Sequence, residues 1–252
     1  MNRIRVISII LLIAHASFSQ IIKKPIAIGV NYDKIADANR DWKFDQGINA
    51  DYSVKRERIV LELFYGSSSK MKMKSAVGVS AYNSELAIGR PSSQRFFNAD
   101  LTKISSLYFV LSQTALYDLV QFPNSHFFAI KISPFVTIDY EHSIKNTKKK
   151  EHGFSDLTSS EANHWISERD IPAVSAESKI PVGIFSLEGG LAIEAIFFKK
   201  IGVNYNFGYS HALFGHSQID AKFKYLGNDI KTLNLKSKDS GILQKIGIKY
   251  YF

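Results

Sequence analysis

The sequence predicts an all-β fold, an antiparallel up-and-down β-barrel that crosses a membrane with its strands. Three observations predict it. Apolar and polar residues alternate along most of the chain, aromatics are abundant (12 Tyr and 18 Phe), and the N-terminus is built like an export signal. At 252 residues the chain fits one barrel domain. A mean hydropathy of -0.07 excludes a bundle of transmembrane helices.

Residues 1–19 read as a signal peptide, leaving 20–252 as the barrel domain. Arg3 and Arg5 supply the charged start, and Val6 to Ala16 form an apolar run broken only by Ser8 and His15. Ser17-Phe18-Ser19 sets small residues where a signal peptidase reads them, so cleavage is expected before Gln20; Ala14-His15-Ala16 offers an earlier site. Cysteine is absent, which removes disulfides, thiolate chemistry and a lipid-modified N-terminal Cys. The net charge of +9 falls to +7 without Arg3 and Arg5, because residues 1–19 carry no acid. For an exported chain, acidic lipid head groups are the expected neighbours of that charge, and nucleic acid is not. Lys148-Lys149-Lys150 reads as a solvated loop.

The strands follow in order. Ile26, Ile28, Val30 and Tyr32 share a face opposite Ala27, Gly29 and Asn31. Phe44, Gln46, Ile48, Ala50, Tyr52 and Val54 make a second apolar side. A turn at Lys55-Arg56-Glu57 then leads to Ile59, Leu61, Leu63 and Tyr65. Met71–Tyr82 carries Met73, Val77 and Val79 on one side. Phe128, Ile130, Ile132, Val136, Ile138 and Tyr140 alternate with Ala129, Lys131, Ser133, Thr137 and Asp139. Ile201, Val203, Tyr205, Phe207 and Tyr209 oppose Gly202, Asn204, Asn206, Gly208 and Ser210. The last strand sets Ile242, Ile246, Ile248, Tyr250 and Phe252 against Lys245, Gly247 and Lys249.

Two segments leave the strand count open. Residues 179–198 fit one long strand, or two joined by a turn at Glu188-Gly189-Gly190. Residues 100–121 fit a strand around Leu107, Phe109 and Leu111, or a helix through Ile104, Leu107, Leu111, Ala115 and Leu119. These choices, with weak strands at 71–82 and 229–236, give about eight to ten strands, or about twelve at the upper end. Residues 141–179 lack alternation and read as a long extracellular loop with a short helix near Ser160–Arg169.

A soluble sandwich, periplasmic in this compartment, also alternates, with its apolar face inward. Long aromatic-ended apolar faces, opposed by Gly, Ser, Asn and charges, favour a small membrane barrel with its polar face inside. Glu62, Lys131, Asp139, Glu188, Glu194, Lys245 and Lys249 are then lumen charges that pair and fill the interior.

At the C-terminus, Gly241–Phe252 resembles the terminal assembly signal of bacterial outer-membrane proteins. Ile246, Ile248, Tyr250 and Phe252 match it, and Gln244 departs from it. The resemblance implies that the barrel-assembly machinery reads this strand. The order Ser133-Pro134-Phe135, Gly183–Phe198, Gly202–Tyr209 is similar to the back half of small PorT-like outer-membrane barrels, over the last half of the chain. It implies an outer-membrane location and contact with outer-membrane lipids and lipopolysaccharide.

The expected function is a filled barrel that acts through its loops in a structural, adhesive or secretion-associated role, with envelope or secretion-system proteins as partners. One alternative is a narrow pore for ions or small solutes. Another is a lipid-modifying hydrolase. For the hydrolase, Ser210-His211 and His216-Ser217, with Asp220 nearby, supply the residue types of a nucleophile, base and acid, but not the His-x-Ser-Asn pattern of lipid A deacylases. Glu141-His142, Glu151-His152 and Glu161 with His164 offer metal-ligand types without ligand spacing. No cofactor and no enzymatic activity is expected.

Overall fold

The computed structural model describes residues 26–37, 40–43, 49–66, 70–89, 102–122, 127–144, 150–153, 174–223, 231–237 and 239–252. The signal segment 1–19, the expected cleavage before Gln20 and the helix near 160–169 lie outside them. In chain order the strands are β1 (Ala27–Asp37), β2 (Arg40–Lys43), β3 (Asn49–Gly66), β4 (Met71–Gly89) and β5 (Thr102–Tyr117). Next come β6 (Val120–Phe122), β7 (Phe128–Ser143), β8 (Lys150–Gly153) and β9 (Val174–Lys179). The last are β10 (Gly183–Phe197), β11 (Ile201–Phe214), β12 (Gln218–Phe223), β13 (Lys231–Lys236) and β14 (Gly241–Tyr251).

Eight of these strands form the ring. β1, β3, β4, β5, β7, β10, β11 and β14 pair antiparallel in succession, and β1 pairs with both β14 and β3, so the sheet closes. Closure leaves the ring itself without an edge. Ala27 stands beside Tyr251, so the first and last barrel strands begin and end at one rim, the terminal rim. Links at that rim are short. β10 turns into β11 through Phe198 and Lys199, both left-handed (φ 54° and 59°), with Lys200 N donating to Phe197 O at 3.0 Å.

At the far rim the wall continues. β13, β12, β9 and β8 form a four-stranded sheet in that order. Each adjoins in sequence its counterpart in the barrel order β14, β11, β10 and β7. Residues 141–143, 150–153 and 174–179 are thus strand, which corrects the reading of 141–179 as a loop without regular structure.

The turn expected at 55–57 is also revised, and the open choices are decided. β3 runs unbroken from Asn49 to Gly66, so Lys55-Arg56-Glu57 is not a turn. A strand with its charges alternately inside and outside looks like a polar turn when residues are read without their faces. Residues 102–117 form a strand, not a helix, paired with β4 along its length. Gly183–Phe197 is one strand, so no turn falls at 188–190. The segment near 229–236 contributes β13, which stands in the far-rim sheet and not in the ring. These assignments give eight barrel strands, and the counts of ten and twelve fall away.

The faces are sorted opposite to those of a water-soluble barrel. Val30, Ile59, Val136, Leu191, Phe207, Ile246 and Ile248 point outward and are each more than half exposed. Polar and charged side chains of the same strands are buried inside. In β14 the two alternate at nearly every residue. Val54, read with an outer apolar face, is on the inner side with Arg56 and Arg58. Between β10 and β11, Gly190 faces Gly208. A Cβ on Gly208 would stand 2.2 Å from the Gly189 carbonyl oxygen, so the two strands approach closely only because side chains are absent there.

Candidate functional site in the barrel lumen

The lumen is filled by charge. Among the described residues, five cations (Arg56, Arg58, Lys74, Lys245, Lys249) and seven carboxylates (Asp33, Glu62, Asp139, Glu141, Glu188, Glu194, Asp239) are buried. An unpaired charge in such a place carries a desolvation cost of several kcal/mol, so each must find partners. Strand alternation delivers them. On β3 the inward series is Val54, Arg56, Arg58, Val60, Glu62 and Phe64.

Toward the far rim, Arg56 Nη1 donates to Glu141 Oε1 at 2.8 Å, and Nη2 donates to Ser210 Oγ at 3.2 Å and to the Asp239 carbonyl at 2.9 Å. In the middle, Arg58 meets Asp139 at 2.8 Å, Glu188 at 2.7 Å and Asp33 at 3.1 Å. Lys245 Nζ adds a second contact to Glu188 at 2.7 Å. This knot ties β1, β3, β7, β10 and β14 across the interior. Toward the terminal rim, Lys74 pairs with Glu62, and Lys249 with Glu194 at 3.1 Å. Tyr251 Oη donates to Glu194 at 2.7 Å, and Lys249 Nζ lies 4.3 Å from the Phe64 ring centroid. A pocket lined by Lys72, Asp118, Ser133, Glu194, Lys249 and Tyr251, among others, has room for roughly one water molecule.

Of the seven charges expected in the lumen, Glu62, Asp139, Glu188, Glu194, Lys245 and Lys249 are buried in this network. Lys131 is only half-buried, with its Nζ 5.8 Å from the Tyr251 ring centroid. Sequence reasoning missed Asp33, Arg56, Arg58, Lys74, Glu141 and Asp239. Carrying the parity of Glu62 back through Val60 would have found Arg58 and Arg56. Ile246, Ile248, Tyr250 and Phe252 share the outer face of β14 and its end.

The hydrolase and metal candidates are distributed differently. Ser210 is inside, bonded to Arg56, whereas His211 is exposed outside with Nδ1 at 3.1 Å from Ser240 Oγ. Ser217 Oγ donates to Asp239, and His216 is exposed. Asp220 lies on β12. Glu141 and His142 fall on opposite faces, the glutamate on Arg56 and the imidazole stacked on Tyr140. Glu151 and His152 lie on β8, and residues 161 and 164 are outside the described residues. Among the described residues, no group of three or more His, Asp and Glu is placed to hold a metal ion.

No family model and no curated protein matches the sequence. Similar solved structures include a major outer membrane protein from Thermus thermophilus (10% identity, TM-score 0.37, covering 89% of this chain and 99% of that one). They also include an outer membrane channel from Pseudomonas putida (8% identity, TM-score 0.28, 90% and 96% covered). A third is the transport unit of the autotransporter AIDA-I from Escherichia coli (5% identity, TM-score 0.29, 91% of each chain). Likenesses this distant add nothing to the strand pairing, on which the eight-stranded closure rests.

Proposed function

We propose that the protein is an outer-membrane β-barrel with a filled, non-conducting lumen, and that it anchors the far-rim sheet outside the cell in a structural, adhesive or secretion-associated role. The observation that carries this reading is the transluminal knot of Arg58 with Asp139, Glu188 and Asp33, all buried. An ion-selective pore is lined by charge that faces a water path, commonly of one sign. Here all five buried cations are ion-paired with six of the seven buried carboxylates among the described residues, and the seventh, Asp239, is held by Tyr82 and Ser217.

The outward apolar band supports the membrane location, because a soluble monomer rarely exposes so large an apolar surface. Short links at the terminal rim and long ones at the far rim match a barrel with its termini in the periplasm. Outer-membrane lipids and lipopolysaccharide then cover the band. β14, ending in Tyr250 and Phe252, is what the assembly machinery would read, and envelope or secretion-system proteins meet the far-rim sheet.

The test is fractionation with a gel shift on heating, followed by recording in planar bilayers. A heat-shifted band in the outer-membrane fraction and no steady conductance are expected. Recovery in the soluble fraction would refute the membrane reading. A stable ohmic current from the unaltered protein would replace the filled lumen with a narrow pore.

A further inference from the structure

We propose that the terminal mouth of the barrel seats a phospholipid, with Lys131 holding its phosphate inside the rim and Phe122, Ile130 and Ile132 meeting its acyl chains outside. The proposal rests on the membrane reading and gives one lipid of that membrane a specific seat.

Charge at this end of the lumen does not balance. Among the described residues, four inward lysines (Lys72, Lys74, Lys131 and Lys249) meet three carboxylates (Glu62, Asp118 and Glu194). Lys74 takes Glu62. Asp118 has Lys72 at 2.6 Å and the Ser133 hydroxyl at 2.9 Å, and Glu194 has Lys249 at 3.1 Å and Tyr251 Oη at 2.7 Å. Lys131 is left over. It stands opposite Glu194 in the β7–β10 pairing but forms no ion pair among the described residues. Its Nζ lies 5.8 Å from the Tyr251 ring centroid, beside the Lys72 ammonium. Two half-buried ammonium groups repel and lose hydration, and an anion between them relieves both costs.

The pocket beside Lys131, lined by Lys72, Asp118, Ser133, Glu194, Lys249 and Tyr251 among others, has room for roughly one oxygen atom. It fits one corner of an anion whose other atoms stay outside, as when a phosphate is carried on a larger molecule. The wall has a free edge at the same place. β5 leaves β7 after Leu116, opposite Phe135, and β6 rejoins it at Val120, opposite Ile132, so residues 117–119 bulge against Ser133 and Pro134. Pro134 has no N–H to give a ladder there. Past the bulge, β6 pairs with β7 alone among the described residues. Gln121 stands opposite Lys131 on the inner face of this edge, and Phe122 stands opposite Ile130, next to Ile132, on the outer face. Phe122 is 60% exposed. Charge therefore lies on one face of the edge and apolar side chains on the other. A molecule with both an anion and hydrocarbon folds over it, and at a rim facing the periplasm that molecule is a phospholipid.

The test is native mass spectrometry of the full chain, folded in non-ionic detergent with phosphatidylglycerol. A single bound lipid is expected, held roughly tenfold more weakly by Lys131→Gln and restored by Lys131→Arg. Lys199→Gln, in the β10–β11 turn at the same rim, is expected to bind as the unaltered protein does. Diacylglycerol with the same chains, which lacks the phosphate, should not be retained. Equal binding of phosphatidylglycerol by the unaltered and Lys131→Gln proteins, both heat-shifted, would overturn the seat, and so would equal retention of diacylglycerol. Displacement by an equal concentration of inorganic phosphate would overturn the lipid as the source of the anion. If Lys131→Gln does not fold, the unaltered protein decides, because retention that ignores added salt would overturn the charge contact. Each of these failures leaves the membrane reading standing, which recovery in the soluble fraction refutes.

Discussion

Arg56 and Glu141 meet across the lumen at 2.8 Å, although they lie 85 residues apart on strands that do not pair. Arg58, two residues on, repeats the reach with three carboxylates. Such contacts brace the ring from within. Breaking a buried pair is more damaging than never having built it, because the abandoned partner stays desolvated. Arg58→Ala is therefore expected to destabilise the folded barrel by about 3–5 kcal/mol. The urea midpoint in lipid vesicles measures this, and an unchanged midpoint would show that the lumen is wet enough to solvate Asp139 and Glu188.

The outer face makes a separate prediction. Ile246 is half exposed at the middle of β14, and Ile144 is exposed just past the far end of β7. In a bilayer, Ile246→Lys is expected to cost about 2–4 kcal/mol, and Ile144→Lys about 0–1 kcal/mol. Equal penalties at the two depths would contradict a membrane-spanning orientation.

Gly208 is a steric prediction. Gly208→Ala sets a methyl against the Gly189 carbonyl and is expected to cost about 1–3 kcal/mol, as overpacking does. Gly189→Ala is the control: the nearest atom to its Cβ would be the Phe135 carbonyl oxygen at 3.8 Å, in ordinary contact. It should stay within about 0.5 kcal/mol of the parent. Equilibrium unfolding of the three proteins side by side decides the point.

Asp118, between β5 and β6, gives a pH dependence. Burial pushes its carboxyl up, but the Lys72 ammonium at 2.6 Å and the Ser133 hydroxyl at 2.9 Å outweigh burial and hold it below its ordinary value of 3.8. A carboxyl lowered in the folded state adds stability above its unfolded value, and the gain is lost as pH falls through the folded one. The unaltered protein should thus be more stable than Asp118→Asn at neutral pH, and the gap should close as pH falls below about 4. A gap that stayed constant down to about pH 2 would exclude the ion pair as its source.

Much of the wall was legible in the sequence because a period of two survives wherever one side faces an apolar medium. Ile201–Tyr209 and Ile242–Phe252 alternate with scarcely a break, and the structure places them as read. The failures share one cause. In β3 the two faces exchange character along the strand, so that Val54 lies inside while Ile59 lies outside, and local pattern reading inserted a turn at the change. Residues 102–117 carry apolar side chains at helical spacing too, and only pairing with β4 settles the choice. The lumen charges were found where they interrupt an apolar strand, as with Lys245. They were missed where charges crowd together, as at Arg56, or where the strand runs into a polar segment, as at Glu141.

The register of β14 has a consequence for the order in which the molecule comes together. Lys245 and Lys249 ride on that strand and reach Glu188 and Glu194 on β10, while the same residues stand opposite Asp33 and Gly29 of β1. Until the last eleven-residue strand is seated, Glu194 lacks its lysine and Glu188 lacks one of its two cations. Ring closure and the last of the charge pairings are therefore a single event, and a chain stopped short of Gly241 forfeits both at once.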